Sequence, residues 1–320
     1  MSLLSVQGLH VEIGDAHILR GISLSVEPGE TLGVVGESGC GKSMTGLALM
    51  GMLPRTAQIT AGSIRFDGRE LTALKPKDWL EIRGQQISMV MQDPFTSLNP
   101  MMRVGEQIAE VYQVHHGTPK KQARAKAVEM LEKVGVPAPK DSARKYPHQM
   151  SGGQRQRVVV AIAFASKPKL LIADEPTTAL DVTLQAQILH LLRELQHQEN
   201  TAVILISHDI GVIGAVSDRI VVYYAGRVVE SGTAEQVLKG ARHPYTQALL
   251  AALPTVGKKR LAAIGGQPPN LADLPQGCAF SPRCQGRFDK CTKEPDLIPV
   301  GDGQASACWL QEEPTARTSS

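Results

Sequence analysis

Aromatic residues are scarce in this 320-residue chain, where Phe, Trp and Tyr together make up 4%. A core must therefore be built mainly from Val, Ile, Leu and Ala. Long apolar runs are also missing: the longest, VVVAIAFA at 158–165, is core-sized and far short of the ~20 residues that a membrane-spanning helix requires. The N-terminus, MSLLSVQGLHVEIGDAHIL, has neither the basic nor the apolar region of a secretory signal. No charge sign dominates. With 34 Lys+Arg against 31 Asp+Glu the net charge is +3, too weak to argue for nucleic acid or a membrane surface by electrostatics alone. The basic run KKQARAK at 120–126 has no interleaved aromatics and reads as a solvated helix face, so no nucleic-acid partner is expected. Internal repeats are absent too. What remains is a cytosolic globular chain, long enough for one large α/β domain and a smaller appendage.

Cysteine is nearly absent before residue 278, where Cys40 stands alone; Cys278, Cys284, Cys291 and Cys308 then fall within 31 positions. A reducing cytosol counts against disulfides there. The spacing C-x5-C-x6-C-x16-C contains no close C-x2-4-C pair of the kind structural zinc prefers. Four thiolates on looser Pro- and Gly-rich loops can reach the corners of a larger cubane cluster. The residues alone predict a four-cysteine metal or cluster site, with iron–sulfur and zinc both open.

The body of the chain patterns as α/β. Residues 3–13 and 22–26 alternate with period two, as antiparallel strands with one wet face do. TLGVVG at 31–36 is a buried strand followed by a helix; GSIRFDG and QISMVMQ are further strands; 103–135 has helical periodicity. From KLLIADEP at 169–176 onward, strands and helices alternate, and RIVVYYAGRVVESG reads as a hairpin around Ala225-Gly226. Such alternation predicts a mainly parallel sheet between helices. After about residue 252 the composition shifts to Pro and Gly, as an extended linker would.

GESGCGKS at 36–43 fits G-x-x-x-x-G-K-S between a strand and a helix. Its backbone N–H groups would cradle phosphates over Gly36, Glu37, Ser38, Gly39, Cys40, Gly41, Lys42 and Ser43. Lys42 would reach the β- and γ-phosphates and Ser43 would ligate Mg²⁺. Cys40 occupies a variable position of this loop and is expected to pack rather than react. KLLIADEP delivers Asp174 and Glu175 at the carboxyl end of a buried strand, where ligands sit in open α/β sheets. Asp174 is placed for Mg²⁺, and Glu175 for polarising the water that attacks the γ-phosphate. Ser151 and Gln154 in SGGQ form a helix-opening capping box, although two consecutive glycines leave an anion-attracting N-terminus.

The phosphate loop, Gln92, MSGGQRQR, LLIADEP, TALD at 178–181 and SHD at 207–209 resemble, in order and spacing, the ATPase subunits of ABC transporters. The resemblance covers about residues 3–252. It implies a P-loop NTPase fold with an antiparallel β subdomain and a helical subdomain at about 93–150, within an ATPase domain spanning 1–252. It further implies a head-to-tail dimer with ATP between two subunits. Ser151, Gly152 and Gly153, with Gln154 in the same signature, would meet the γ-phosphate bound by the partner. Gln92 would serve Mg²⁺ and catalysis and link the site to the helical subdomain. Asp181 would lie at the dimer interface, and His208 would touch the γ-phosphate and the attacking water. The family stacks adenine on an aromatic residue where this chain has Ile13, so apolar contact survives without a ring stack.

MQDPFTSLNP at 91–100, HPYTQALLAALP at 243–254 and the cysteine tail resemble, more closely, the oligopeptide/dipeptide/nickel importer ATPases. This implies an ATP-hydrolysing subunit with a paralogous ATPase partner, two integral-membrane permease subunits and, indirectly, a substrate-binding protein. It also implies a peripheral position on the cytoplasmic face of the inner membrane. Nickel or another small solute is the alternative cargo; a soluble ABC ATPase serving iron–sulfur assembly would not be expected to carry these segments. An exporter ATPase is mechanistically possible, but a separate chain fits an importer better. Dipeptide-type members carry a similar cysteine motif associated with a 4Fe–4S cluster, which implies that the extension at 253–320 is closed by one, with zinc as the alternative.

Overall fold

The computed structural model describes residues 2–178, 180–253 and 264–312. The expected linker therefore lies outside the described residues over 254–263, as does Ala179 within TALD. Chain contacts divide into two units, one formed by residues 1–3, 26–30 and 73–206, the other by 4–25, 31–72 and 207–320.

In the first unit three strands run parallel. Ile87–Val90 pairs with Leu170–Asp174, and that strand pairs with Ala202–Ser207 in turn. All five residues of Leu170–Asp174 are buried, which explains its unbroken apolar run: a parallel strand covered on both faces cannot alternate. Helices Val104–His116, Lys120–Lys133 and Gly152–Phe164 pack on one another. The charged Lys120–Lys133 helix contributes Ala123, Ala127, Met130 and Leu131 to the interior, so its basic residues are the solvated face that the sequence predicts. Helix Val182–Glu199 begins at Asp181, whose Oδ1 accepts the Leu184 N–H at 2.9 Å.

The second unit holds the antiparallel sheet, in the order Ala16–Val26, Leu4–Ile13, Ala57–Phe66, Arg69–Glu70. Leu4–Ile13 lies within its expected limits of 3–13, whereas Ala16–Val26 and Ala57–Phe66 both begin earlier than expected. Leu4–Ile13 pairs with Ala57–Phe66 from Leu4 opposite Phe66 to Ile13 opposite Ala57, with register shifts between Gln7 and Val11, and this pairing holds the residues before Gly62 in the strand. Strand Thr31–Val35 runs parallel to Arg219–Tyr224. The expected hairpin follows: Arg219–Tyr224 turns into Arg227–Thr233 through Ala225 (φ 48°) and Gly226 (φ 77°), positive at both positions as a tight two-residue turn demands.

The tail is less irregular than its composition predicts. Strands Ile298–Gly301 and Gln304–Ser306 add to the hairpin, with Ser306 opposite Glu230. Glu294 ties the same segment to Arg20 and Arg227. Glu230 itself is fully buried. Its carboxyl oxygens accept the Arg242 N–H at 2.6 Å, the His243 N–H at 2.9 Å and the Gln304 side-chain amide at 2.9 Å. One side chain thus joins the hairpin, the start of helix Pro244–Ala251 and the tail. His243 caps that helix, its Nδ1 accepting the Tyr245 N–H at 3.0 Å.

Glu230→Gln places an amide N–H against a donor in a site whose partners only donate. It is expected to cost about 2 kcal/mol, measured as a shift of the urea unfolding midpoint. Burial lowers the His243 pKa to about 4, so between there and the ordinary histidine value the unfolded chain binds the extra proton. The stability is complete above that ordinary value and is drained, by about 3 kcal/mol, as pH falls through the interval. His243→Asn keeps a capping side chain, and its unfolding free energy should fall less than wild type's between pH 7 and 4.5.

Candidate functional site

The phosphate loop is set by the strand that precedes it. All five residues of Thr31–Val35 are buried, and the chain leaves the sheet at Gly36, where a Cβ would collide with the Tyr223 carbonyl oxygen. Only glycine allows that approach. The loop then turns through Gly39 (φ 80°) and Gly41 (φ 103°) into helix Lys42–Leu49. Lys42 is buried and reaches back across its own loop, its Nζ donating to Gly36 O at 2.7 Å and Glu37 O at 3.0 Å. Thr45 Oγ1 donates to Gly41 O at 3.2 Å. Ser38, Gly39 and Ser43 are exposed, so the loop's outer rim and the first helical turn face solvent. Cys40 is buried, and burial raises its thiol pKa; it packs, as expected, and is a poor nucleophile.

In the same unit, the cavity beside this loop is lined by Ile18, Glu37 to Cys40 and the segment from Gln267 to Ala272. Ile13 is half-buried at its strand end and is not among the lining residues; Ala16 and Ile18 stand there instead. The contribution of 267–272 has no local signature and depends on the return of the tail. His208 is exposed, and the following Asp209 opens helix Ile210–Val216, its Oδ1 accepting the Gly211 and Val212 N–H groups.

The carboxylate pair belongs to the other unit. Asp174 is buried at the last position of its strand, and Glu175 follows at φ 46°. That left-handed conformation is costly for a residue with a Cβ and gathers at functional sites. It is held by the Glu175 N–H donating to Ile206 O at 2.9 Å. Glu175 Oε2 accepts from Gln92 Nε2 at 3.2 Å and from Thr178 Oγ1 at 2.8 Å. Gln92, exposed after strand Ile87–Val90, is thereby brought onto the carboxylate as the motif order predicts. Thr178 is a partner that the sequence reading does not single out. Ser151 is the N-cap of helix Gly152–Phe164, and its capping box with Gln154 is formed at 3.2 and 3.3 Å. Gly152 faces open space, whereas Gly153 lies against Leu184.

The four tail cysteines line one small cavity together with His243, Phe280 and Trp309. All are free thiols. Burial raises Cys278 and Cys284 and pushes Cys308 up to about 11. Among the described residues, no three His, Cys, Asp or Glu side chains converge closely enough to hold a metal ion. Zinc needs four ligands drawn in to about 2.0–2.3 Å of one point; these thiols line a cavity without forming such a group, and neither the zinc nor the cluster expectation is borne out by the described residues. The segment between them is tied down by Arg283, whose fork reaches Glu37 Oε2 at 2.6 Å and Glu37 Oε1 at 2.9 Å.

The family description "ABC transporter" matches residues 19–178, half of the chain, and "Oligopeptide/dipeptide transporter, C-terminal region" matches 229–291. The chain belongs to the ABC transporter ATP-binding family. It is 48% identical over 317 residues to the oligopeptide transport ATP-binding protein OppD of Haemophilus influenzae, covering 97% of this chain and 98% of that one. The dipeptide transport ATP-binding protein DppD of Escherichia coli is 47% identical over 315 residues, with 96% of each chain covered. Among solved structures, the ATP-binding cassette MJ0796, dimeric and bound to ADP and Pi, superposes with TM-score 0.65 at 26% identity, over 72% of this chain and 98% of that one. CbiO1 of Clostridium perfringens, part of an ABC transporter complex, gives TM-score 0.66 at 28% identity, over 75% and 91%. The α/β P-loop NTPase fold and an ATP-hydrolysing activity follow for this family member. No helix among its described residues is long and apolar enough to cross a membrane.

Proposed function

We propose that this ABC ATPase powers the import of di- and oligopeptides. What carries this reading is the peptide-transporter relationship, which extends over the C-terminal region as well as the ATPase body. The working assembly is a head-to-tail pair with a paralogous ATPase subunit, docked on two integral-membrane permease subunits at the cytoplasmic face of the inner membrane. A substrate-binding protein delivers the peptide from the far side. Residues 1–252 form the ATPase domain, with a helical subdomain at about 93–150, and 253–320 form the extension.

In the reaction, the loop from Gly36 to Ser43 offers backbone N–H groups and Lys42 to the triphosphate, and Ser43, Asp174 and Gln92 would hold an Mg²⁺ ion that would supply charge neutralisation there. Glu175 takes a proton as water attacks the γ-phosphorus; the bond to the β–γ bridging oxygen breaks, giving ADP and phosphate. The orientation of its carboxylate by Gln92 and Thr178 supports this role. Ser151, Gly152 and Gly153 cap the partner's γ-phosphate, and His208 contacts that phosphate and the water. Asp181 lies at the dimer interface besides capping its helix. Apolar contact from Ile13 or Ile18 replaces an aromatic stack on adenine.

Cys278, Cys284, Cys291 and Cys308 hold a 4Fe–4S cluster that clasps the tail. Four thiols lining one cavity support this reading, because a cubane is held by four cysteine thiolates. The cluster supplies no step of ATP hydrolysis, which transfers no electrons.

Glu175→Gln is expected to lower ATPase turnover at least about 100-fold and to trap an ATP-bound dimer, read by light scattering; rapid turnover in that variant would remove Glu175 as the base. Stimulation of the permease-reconstituted ATPase by peptides, and not by nickel, tests the cargo. Anaerobically purified protein should contain iron and acid-labile sulfide in equal amounts; stoichiometric zinc without sulfide would sink the cluster.

A further inference from the structure

Glu37 is the second residue of the phosphate loop, and a carboxylate there works against a bound triphosphate unless its charge is cancelled. The cancelling group comes from 246 residues away. Arg283 grips both carboxylate oxygens with its fork, at 2.6 and 2.9 Å. Its Nε donates to Gly265 O at 2.8 Å, and Nη1 also donates to Tyr224 Oη at 3.3 Å. The side chain is 4% exposed, with the guanidinium beside the rings of Tyr224 and Phe280. The loop residue is held by its backbone as well, the Glu37 N–H donating to Tyr245 Oη at 2.8 Å. A surface ion pair would carry little consequence; a bidentate, desolvated one at the mouth of an anion site does.

We propose that Arg283 is a positioning residue of the nucleotide site: by neutralising and orienting Glu37, it presents the phosphate loop to ATP without a competing negative charge. The inference rests on the phosphate-loop reading of residues 36–43. It also makes the cysteine-bearing tail part of the nucleotide site, since Arg283 lies on the turn Ser281–Arg283 between Cys278 and Cys284. The planar fork is required, because a lysine ammonium cannot meet both carboxylate oxygens in one plane.

The test measures Mg-ATP binding by calorimetry on the full chain, with thermal unfolding followed alongside. R283M should weaken binding at least about ten-fold, while E37Q, which removes the offending charge, binds as well as wild type or more tightly. The R283M/E37Q double variant should recover most of the loss, and R283K should fall between wild type and R283M. In the reconstituted transporter, R283M should raise the KM for ATP with little change in kcat, a split that general loss of fold does not produce. Wild-type affinity in R283M, or a double variant as weak as R283M, overturns the proposal. Should R283M fail to fold, a ten-fold loss in E37Q alone overturns it. K42A separates the two levels: wild-type ATP binding in K42A removes the phosphate-loop reading and this proposal with it. Loss of binding in K42A beside an unaffected R283M removes the proposal alone.

Discussion

The nucleotide loop depends on one close approach. Strand Thr31–Val35 lies parallel to Arg219–Tyr224, and the chain can leave that sheet beside the Tyr223 carbonyl only because residue 36 has no side chain. Everything after it follows from that exit. The loop doubles back tightly enough for Lys42 to bond two of its carbonyls, and helix Lys42–Leu49 starts with its amide groups turned towards the loop. A phosphate site of this kind is made of backbone, so its geometry is as good as the sheet beneath it. The fully buried strand and its neighbour Arg219–Tyr224, buried from Ile220 onward, supply that rigidity.

A different device positions the carboxylate. Glu175 sits where the strand has just ended, in a left-handed conformation that costs on the order of 1–3 kcal/mol. Its N–H bond to Ile206 and the two side-chain donors on Oε2 hold it there. The general-base role proposed for Glu175 would gain from such restraint, since a carboxylate that wanders spends little time aligned with water. Gln92 and Thr178 come from separate strand ends of the same parallel set, so the restraint is a product of sheet register.

The tail is the least conventional part of the molecule. Its residues are irregular in composition, yet four kinds of contact fix it: strand pairing at Ser306, the Glu230 acceptor site, the Glu294 pairs with Arg20 and Arg227, and the Arg283 fork. Three of the chain's aromatics gather where it docks. Tyr224, Tyr245 and Phe280 lie 4.6 to 5.4 Å apart by ring centroid, and such contacts add to burial itself. Scarcity elsewhere makes this cluster the natural seat for an appendage too small to have a core of its own.

The sequence by itself determined the chemistry that is local. A phosphate loop, a carboxylate pair at the end of an apolar strand, a capping box and a hairpin turn each occupy a handful of consecutive residues, and backbone sterics and hydrogen-bond geometry dictate their form wherever they occur. The alternation that marks Leu4–Ile13 was legible, but the start of Ala57–Phe66 was not, because pairing of Ala57 with Ile13 rather than composition sets where that strand begins. The tertiary structure alone decided what joins distant residues. It decided that Arg283 neutralises Glu37, that Gln267 to Ala272 wall the cavity beside the loop, and that the four tail cysteines line one cavity. Such partners are chosen by packing, and packing leaves no mark on the local pattern of either partner.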